Sequence, residues 1–261
     1  MGSATSQARA GIDEALVRQP QAGLDDARDL FQASRAIERN PQVLSSLADP
    51  VSPLEARAAL AERVLGELGA PARAIVAHLA RQRWSDAADL LTAIDDAGIR
   101  IAVQASAGAD VAGEIASFAR IVATDAQLEL ALGGVLGKGD DKAALVQRLL
   151  AGRASDATLA ILEHLVRVQR GRRIGQLLRG AATEVAAAAG RSIATVTSAR
   201  EIPAPQLDRL RAGLERQYGR TLQLQQVVDP TVIGGLRVSI GDDVIDGTVR
   251  SKFTDLRLKL G

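Results

Sequence analysis

The chain has 261 residues, with 32 Lys plus Arg against 31 Asp plus Glu and a formal net charge of +1, which excludes a whole-chain electrostatic drive toward nucleic acid or an anionic membrane. Cysteine is absent, so disulfides, thiolate catalysis and Cys-ligated metal centres are excluded. Hydrophobic residues make up 47% but aromatics only 2%, so the cores must be built from Ala, Leu, Val and Ile, a composition suited to close-packed helices.

The first ten residues lack the basic start and apolar run of a signal peptide. No stretch approaches the ~18 consecutive apolar residues of a membrane span. The expectation is a soluble cytoplasmic protein that any membrane holds only through partners. Leu24, Ala27, Phe31, Ser34 and Ile37 share one helical face, and Asn40-Pro41 breaks that helix from the next. Leu54, Ala58, Ala61, Val64, Leu65 and Leu68 form another stripe. Ser52-Pro53 reads as an N-cap followed by proline at the first helical position. Ala70-Pro71 marks another start, and residues 72–83 and 84–97 read as two further helices.

A repeat runs through this helical region. Residues 58–65, Ala-Ala-Leu-Ala-Glu-Arg-Val-Leu, recur as Ala-Ala-Leu-Val-Gln-Arg-Leu-Leu at 143–150. Residues 74–81, Ala-Ile-Val-Ala-His-Leu-Ala-Arg, recur as Ala-Ile-Leu-Glu-His-Leu-Val-Arg at 160–167. Phe31 and Phe118, and Leu90-Leu91 and Leu177-Leu178, keep the same order at nearly the same offset. A duplicated helical unit accounts for this, against chance similarity between Ala/Leu-rich helices. The two histidines, His78 and His164, fall at equivalent positions. Duplication puts them in separate sites, which favours structural roles over a shared metal or acid/base site.

Beyond Gly190 the pattern changes. Residues 192–198 are β-branched and read as a strand, 203–218 as a helix, and 221–228 and 233–240 as strands. Gly241-Asp242-Asp243 and Asp246-Gly247 read as turns, and 248–260 as a closing helix. The whole is mostly α with a C-terminal α+β domain. Two tandem helical bundles, 1–105 and 106–190, precede a small mixed-sheet domain, 191–261.

No constellation for catalysis emerges. The glycine-rich run 133–139 lacks the Gly-Lys-Ser/Thr spacing of a phosphate loop and follows helical residues, so it reads as a helix–helix loop. Arg167, Arg170, Arg172 and Arg173 form the densest basic run. It reads as a nucleic-acid footprint, as a solvated helix end, or as a rim that grips an acidic partner helix. The acid pairs Asp25-Asp26, Asp95-Asp96 and Asp242-Asp243 are sequence neighbours, whose side chains diverge. No metal or cofactor is expected.

The segment from Val228-Asp229-Pro230 to Gly234-Gly235-Leu236 ends one strand in a defined turn and opens the next. Its residue types suit fold geometry better than ligand contact. Followed by Gly241-Asp242 and Val244-Ile245-Asp246-Gly247-Thr248-Val249, and preceded by Val196-Thr197-Ser198-Ala199 and Tyr218-Gly219-Arg220, it resembles the C-terminal signature of the ATP synthase delta subunit family. The mitochondrial counterpart of that family is the oligomycin-sensitivity-conferring protein.

The resemblance implies a non-catalytic stator subunit in the peripheral stalk. A helical N-terminal domain would grip the N-terminal segments of the alpha subunits, and the C-terminal domain the C-terminal ends of the b-type stalk subunits. No nucleic acid is implied as a partner. The chain's length resembles the enlarged delta of actinobacteria, with two helical copies where the usual member has one. No b-like segment precedes Ala8, so the membrane anchor is expected from other chains. The first copy is expected to grip alpha through a groove between the first helical segment and the 72–83 helix, at Ile75 and Leu79. Arg167 and Arg170 are further candidate partner contacts. The alternative is a helical adaptor or nucleic-acid-binding module using the small domain and the Arg167–Arg173 patch; an enzyme ranks third.

Overall fold

The computed structural model describes residues 11–106, 108–134, 137–189, 192–218, 222–230, 232, 234–240 and 243–246. They fall into two compact units, residues 1–185 and 186–261.

Among the described residues the first unit holds helices and no strand. Residues 11–17 form α1. There follow α2 (Leu24–Glu38), α3 (Pro41–Ala48), α4 (Leu54–Val64), α5 (Ala70–Ala80) and α6 (Ala87–Gln104). The second series is α7 (Val111–Thr124), α8 (Ala126–Gly133), α9 (Gly139–Leu150), α10 (Asp156–Arg167) and α11 (Ile174–Ala188). Each helix α7 to α11 starts 85 to 87 residues after its counterpart in α2 to α6.

Local chemistry sets most boundaries. Pro41 and Pro71 occupy first-turn positions, where their missing N–H costs nothing. The carboxylates of Asp86, Asp110 and Asp125 and the Ser155 hydroxyl accept amide protons at the starts of α6, α7, α8 and α10. The cap expected at Ser52 is not formed. Pro53 holds the cap position, and Ser52 Oγ donates instead to Asp49 Oδ2 at 2.7 Å. The expected start of a helix at 84 moves to 87, because Trp84 turns back to donate its indole N–H to the Leu79 carbonyl at 3.0 Å.

The two series repeat interactions as well as helices. Asp29 on α2 accepts the Gly69 amide at 2.7 Å before α5, and Glu114 on α7 accepts the Ser155 amide at 3.0 Å before α10. Arg81 after α5 pairs with Glu55 on α4 at 2.9 Å, and Arg167 on α10 pairs with Asp140 on α9 at 2.9 Å. The second of these pairs falls in register, Glu55 with Asp140 at an offset of 85 and Arg81 with Arg167 at 86, as their helices are.

We propose that the boundary between the copies lies within α6 rather than at 105/106. The motif Gly11-Ile12 with Ala15 in α1 recurs as Gly98-Ile99 with Ala102 inside α6, and Ile12, Ala15, Ile99 and Ala102 are all buried. The C-terminal half of α6 therefore stands where α1 stands in the first copy. One continuous helix closes the first bundle and opens the second. It packs on α2, α3 and α5 from the first series and on α10 from the second. Gly98 lets α6 approach α2, since a Cβ there would lie 2.6 Å from a ring carbon of buried Phe31.

The second unit is a four-stranded sheet of order β2-β1-β3-β4, with α12 (Ala204–Tyr218) between β1 (Ser192–Ser198) and β2 (Leu222–Val228). β1 and β2 are parallel, pairing Ser192 with Leu222 and Ser198 with Val228. β3 (Leu236–Ile240) runs antiparallel to β1, with Val196 opposite Val238. β4 (Asp243–Asp246) runs antiparallel to β3. Val196, Leu214, Leu222 and Val238 form the core, flanked by Ile202, Leu210, Leu224 and Leu236. β4 is an addition to the sequence reading, which treated Asp243 and Asp246 as turn residues around a two-residue link. The helix expected at 248–260 lies outside the described residues.

Candidate functional site

A buried polar seam joins the two helical copies. Asp95, on α6, is its centre. Its Oδ1 meets His164 Nε2 of α10 at 2.9 Å, and its Oδ2 accepts from Arg170 Nη1 at 2.6 Å. Arg170 also donates from Nε to Glu38 at 3.0 Å and from Nη2 to Ser34 Oγ at 2.9 Å, both on α2. His164 lies stacked on Phe31, with ring centroids 4.4 Å apart, and its Nδ1 is 3.3 Å from Arg35 Nη1. The side chains of His164, Asp95 and Arg170 are 2%, 12% and 16% exposed.

Burial opposes the charged form of Asp95. The contacts with His164, then Arg170 and Ser34, outweigh burial and hold its carboxyl below the usual carboxylate range. The seam also holds the backbone. Arg170 is the one non-glycine residue with positive φ (45°) among the described residues, and Gly171 follows at 73°. A left-handed arginine is disfavoured on its own. Three side-chain anchors on the first copy fix it in place.

The four proposed partner contacts fall in two settings. Ile75 and Leu79 are 0% exposed and sit in the core of the first bundle. Beside them, Gly11 of α1 lies against Gln82, and Glu14 approaches His78 to 3.8 Å. Arg167 is paired with Asp140 and with Glu163 at 3.0 Å, and Arg170 belongs to the seam. The apolar stripe of α5 faces the core, and Arg167 and Arg170 of the basic run are held by carboxylates of the chain itself. The two histidines lie apart, as equivalent helix positions require. His78 contacts Gln82 and Glu14, whereas His164 bridges the copies.

The seam escaped the sequence reading. Asp95 is half of an adjacent acid pair, and only the placement of α6 beside both α2 and α10 shows that it faces inward. The pairing of Glu38 with Arg170 spans more than 130 residues, and no local pattern signals it.

In the second unit the signature residues shape the β2–β3 connection. Asp229 donates its amide to the Ser198 carbonyl at 2.9 Å, and its own carbonyl accepts from Val232 at 3.1 Å, around Pro230. Gly234 and Gly235 have φ of 64° and 78°, two consecutive left-handed residues that turn the chain into antiparallel pairing with β1. Asp246 ends β4, opposite Arg237 in register, and Gly247 lies outside the described residues. Val228 and Ile245 are exposed apolar residues of this sheet, on β2 and β4 at its two edges.

No helix among the described residues is long and apolar enough to cross a membrane. Comparison with known proteins gives a consistent result. The family profile described as ATP synthase delta (OSCP) subunit matches residues 96–260. A protein named ATP synthase subunit delta from Leifsonia xyli is 47% identical over 262 residues, covering 100% of this chain and 99% of that one. A protein of the same name from a Nocardioides species is 36% identical, covering 90% of this chain and 86% of its own. Another from a Parafrankia species is also 36% identical, covering 88% and 85%.

Proposed function

The chain belongs to the ATP synthase delta (OSCP) subunit family, the peripheral-stalk subunit of that enzyme, and from this we propose how its parts divide the work. The helical unit binds the N-terminal segments of the alpha subunits. The mixed-sheet unit binds the C-terminal ends of the b-type stalk subunits. The chain performs no chemistry of its own. It works at the cytoplasmic side of the membrane, and reaches the membrane only through its partners.

The observation that carries this division is the extent of the family match. It begins at residue 96, inside α6, and runs through the second helical copy and the sheet. The second copy and the sheet therefore correspond to the ordinary family member, and the first copy is the addition. This favours the second copy for the alpha contact, in place of the first. The burial of Ile75 and Leu79 supports the same reassignment. The second copy offers exposed apolar side chains at Ile121 (53% exposed) and Leu130 (74%) on α7 and α8, suited to the apolar face of a partner helix.

The experiment is a titration of the full chain with a peptide of the alpha N-terminus. Leu130→Asp is expected to weaken binding at least tenfold, whereas Val51→Asp, at an exposed site of the first copy, leaves it unchanged. The reverse pattern would return the contact to the first copy. The nucleic-acid reading gains nothing from the geometry, because Arg167 and Arg170 are committed to carboxylates of the chain itself.

A further inference from the structure

Two sequence features that the stator reading leaves idle meet in space. Gly133, Gly137 and Gly139 of the glycine-rich run and Arg167, Arg172 and Arg173 of the basic run line one cavity of about 440 Å³. Its polar lining is Lys142, Arg167, Gln169, Arg172 and Arg173, and no carboxylate lines it among the described residues. Arg167 is already paired with Asp140 and Glu163, and Gln169 donates to the Leu132 carbonyl. The other three cations have no acidic partner among the described residues.

Lys142 is the informative one. It is 6% exposed, lies under Gly137, and donates one proton to the Gly134 carbonyl at 2.7 Å. Burial depresses its ammonium below the usual lysine range, with no opposing charge acting on it. A buried cation ordinarily has a counter-ion.

The first copy shows a different solution at the same position, again with a buried cation bonded to backbone carbonyls. Arg57 on α4 is the counterpart of Lys142, one residue before the repeated Ala-Ala-Leu. It is 1% exposed, and its guanidinium reaches across to the carbonyls of Gln82 at 2.9 Å and Arg81 at 3.4 Å, capping the end of α5. In the second copy the shorter lysine turns to the loop. The space beside the end of α10 is left as a cavity with cationic walls. Gly139, where the first copy has Leu54, brings α9 close to α10, since a Cβ there would lie 3.1 Å from Arg167 Cα.

We infer that this cavity binds a phosphate group, with Lys142 as the buried charge and Arg172 and Arg173 closing over it from the surface. Free phosphate and the phosphate chain of a nucleotide share this chemistry. The inference is independent of the stator reading, because it rests on the charge and shape of one site in the second copy.

The test is thermal melting of the full chain in inorganic phosphate, in ADP and in ATP, at ionic strength fixed with chloride. At a hundredfold excess over its dissociation constant, the ligand is expected to raise Tm by about 5 °C or more. A rise with inorganic phosphate identifies the free ion as sufficient, and a rise only with ADP or ATP identifies the nucleotide. Lys142→Met is expected to abolish the rise, and to melt no lower than the unaltered protein without ligand because it removes an uncompensated charge. The exposed double substitution Arg172→Ala with Arg173→Ala tests the same site without touching the core, and is expected to cut the rise by more than half. No rise with any of the three, a rise equal to that of chloride alone, or an undiminished rise in the double variant would overturn the assignment.

Discussion

Replacing Asp95 with alanine is expected to destabilise the helical unit by about 3–5 kcal/mol, the cost of leaving buried charges without their partner. In thermal melts that corresponds to a fall in Tm of about 10 °C. Asp95 is bonded by both His164 and Arg170, so its removal strips one of two counter-charges from a guanidinium that is 16% exposed. It also frees Arg170 from one of three anchors that hold its left-handed backbone. Pairing Asp95→Ala with Arg170→Met should recover a large part of the loss, because a buried ion pair and an apolar replacement of similar volume differ far less than a broken pair.

The seam carries a pH signature as well. The Asp95 carboxyl is depressed in the folded protein, so its contribution is fully present above the unfolded carboxylate value and is lost as pH falls through the lower folded one. Asp95→Asn is expected to flatten the acid limb of the stability profile. A loss below about 1 kcal/mol for Asp95→Ala, or an unchanged acid limb for Asp95→Asn, would show that the seam does not join the copies energetically.

The second large effect concerns the division between the units. A chain ending at residue 189 keeps the helical unit and lacks the sheet. It is expected to bind the alpha N-terminal peptide as the full chain does. Its affinity for the C-terminal ends of the b-type stalk subunits should fall by a hundredfold or more, measured by calorimetry. Binding through two separate surfaces multiplies the residence of the whole, so the same truncation should release the catalytic head from stalk-containing membranes. Undiminished stalk binding would place that contact on the helices.

The helices between residues 24 and 97, α12 and three of the four strands were legible because their periods are strong and most of their boundaries carry Pro or Gly. β4 was not, because Asp243 and Asp246 are turn residues by type and only pairing with β3 makes Val244-Ile245 a strand. The repeat was legible in residues 58–65 and 74–81. That the copies share α6 was not, since a domain boundary placed in the loop after 104 follows helix ends rather than the register of the repeat. Extending the offset to Gly11 and Gly98 would have found it.

The partner contacts were the least legible. Ile75 and Leu79 carry the same apolar period whether a helix faces its own core or a visitor, and here the core claims them. Arg167 and Arg170 were grouped by composition, whereas Asp95, Asp140 and Glu38 decide their role from distant parts of the chain.

We propose that the chain is a passive tether between the catalytic head and the stalk. The most direct measurement is ATP hydrolysis and ATP-driven proton pumping, followed together in membranes stripped of this subunit and then resupplied with it. Hydrolysis is expected to persist in its absence while pumping is lost, and the added chain should restore pumping. Pumping that survives without the subunit, or hydrolysis that requires it, would contradict the account.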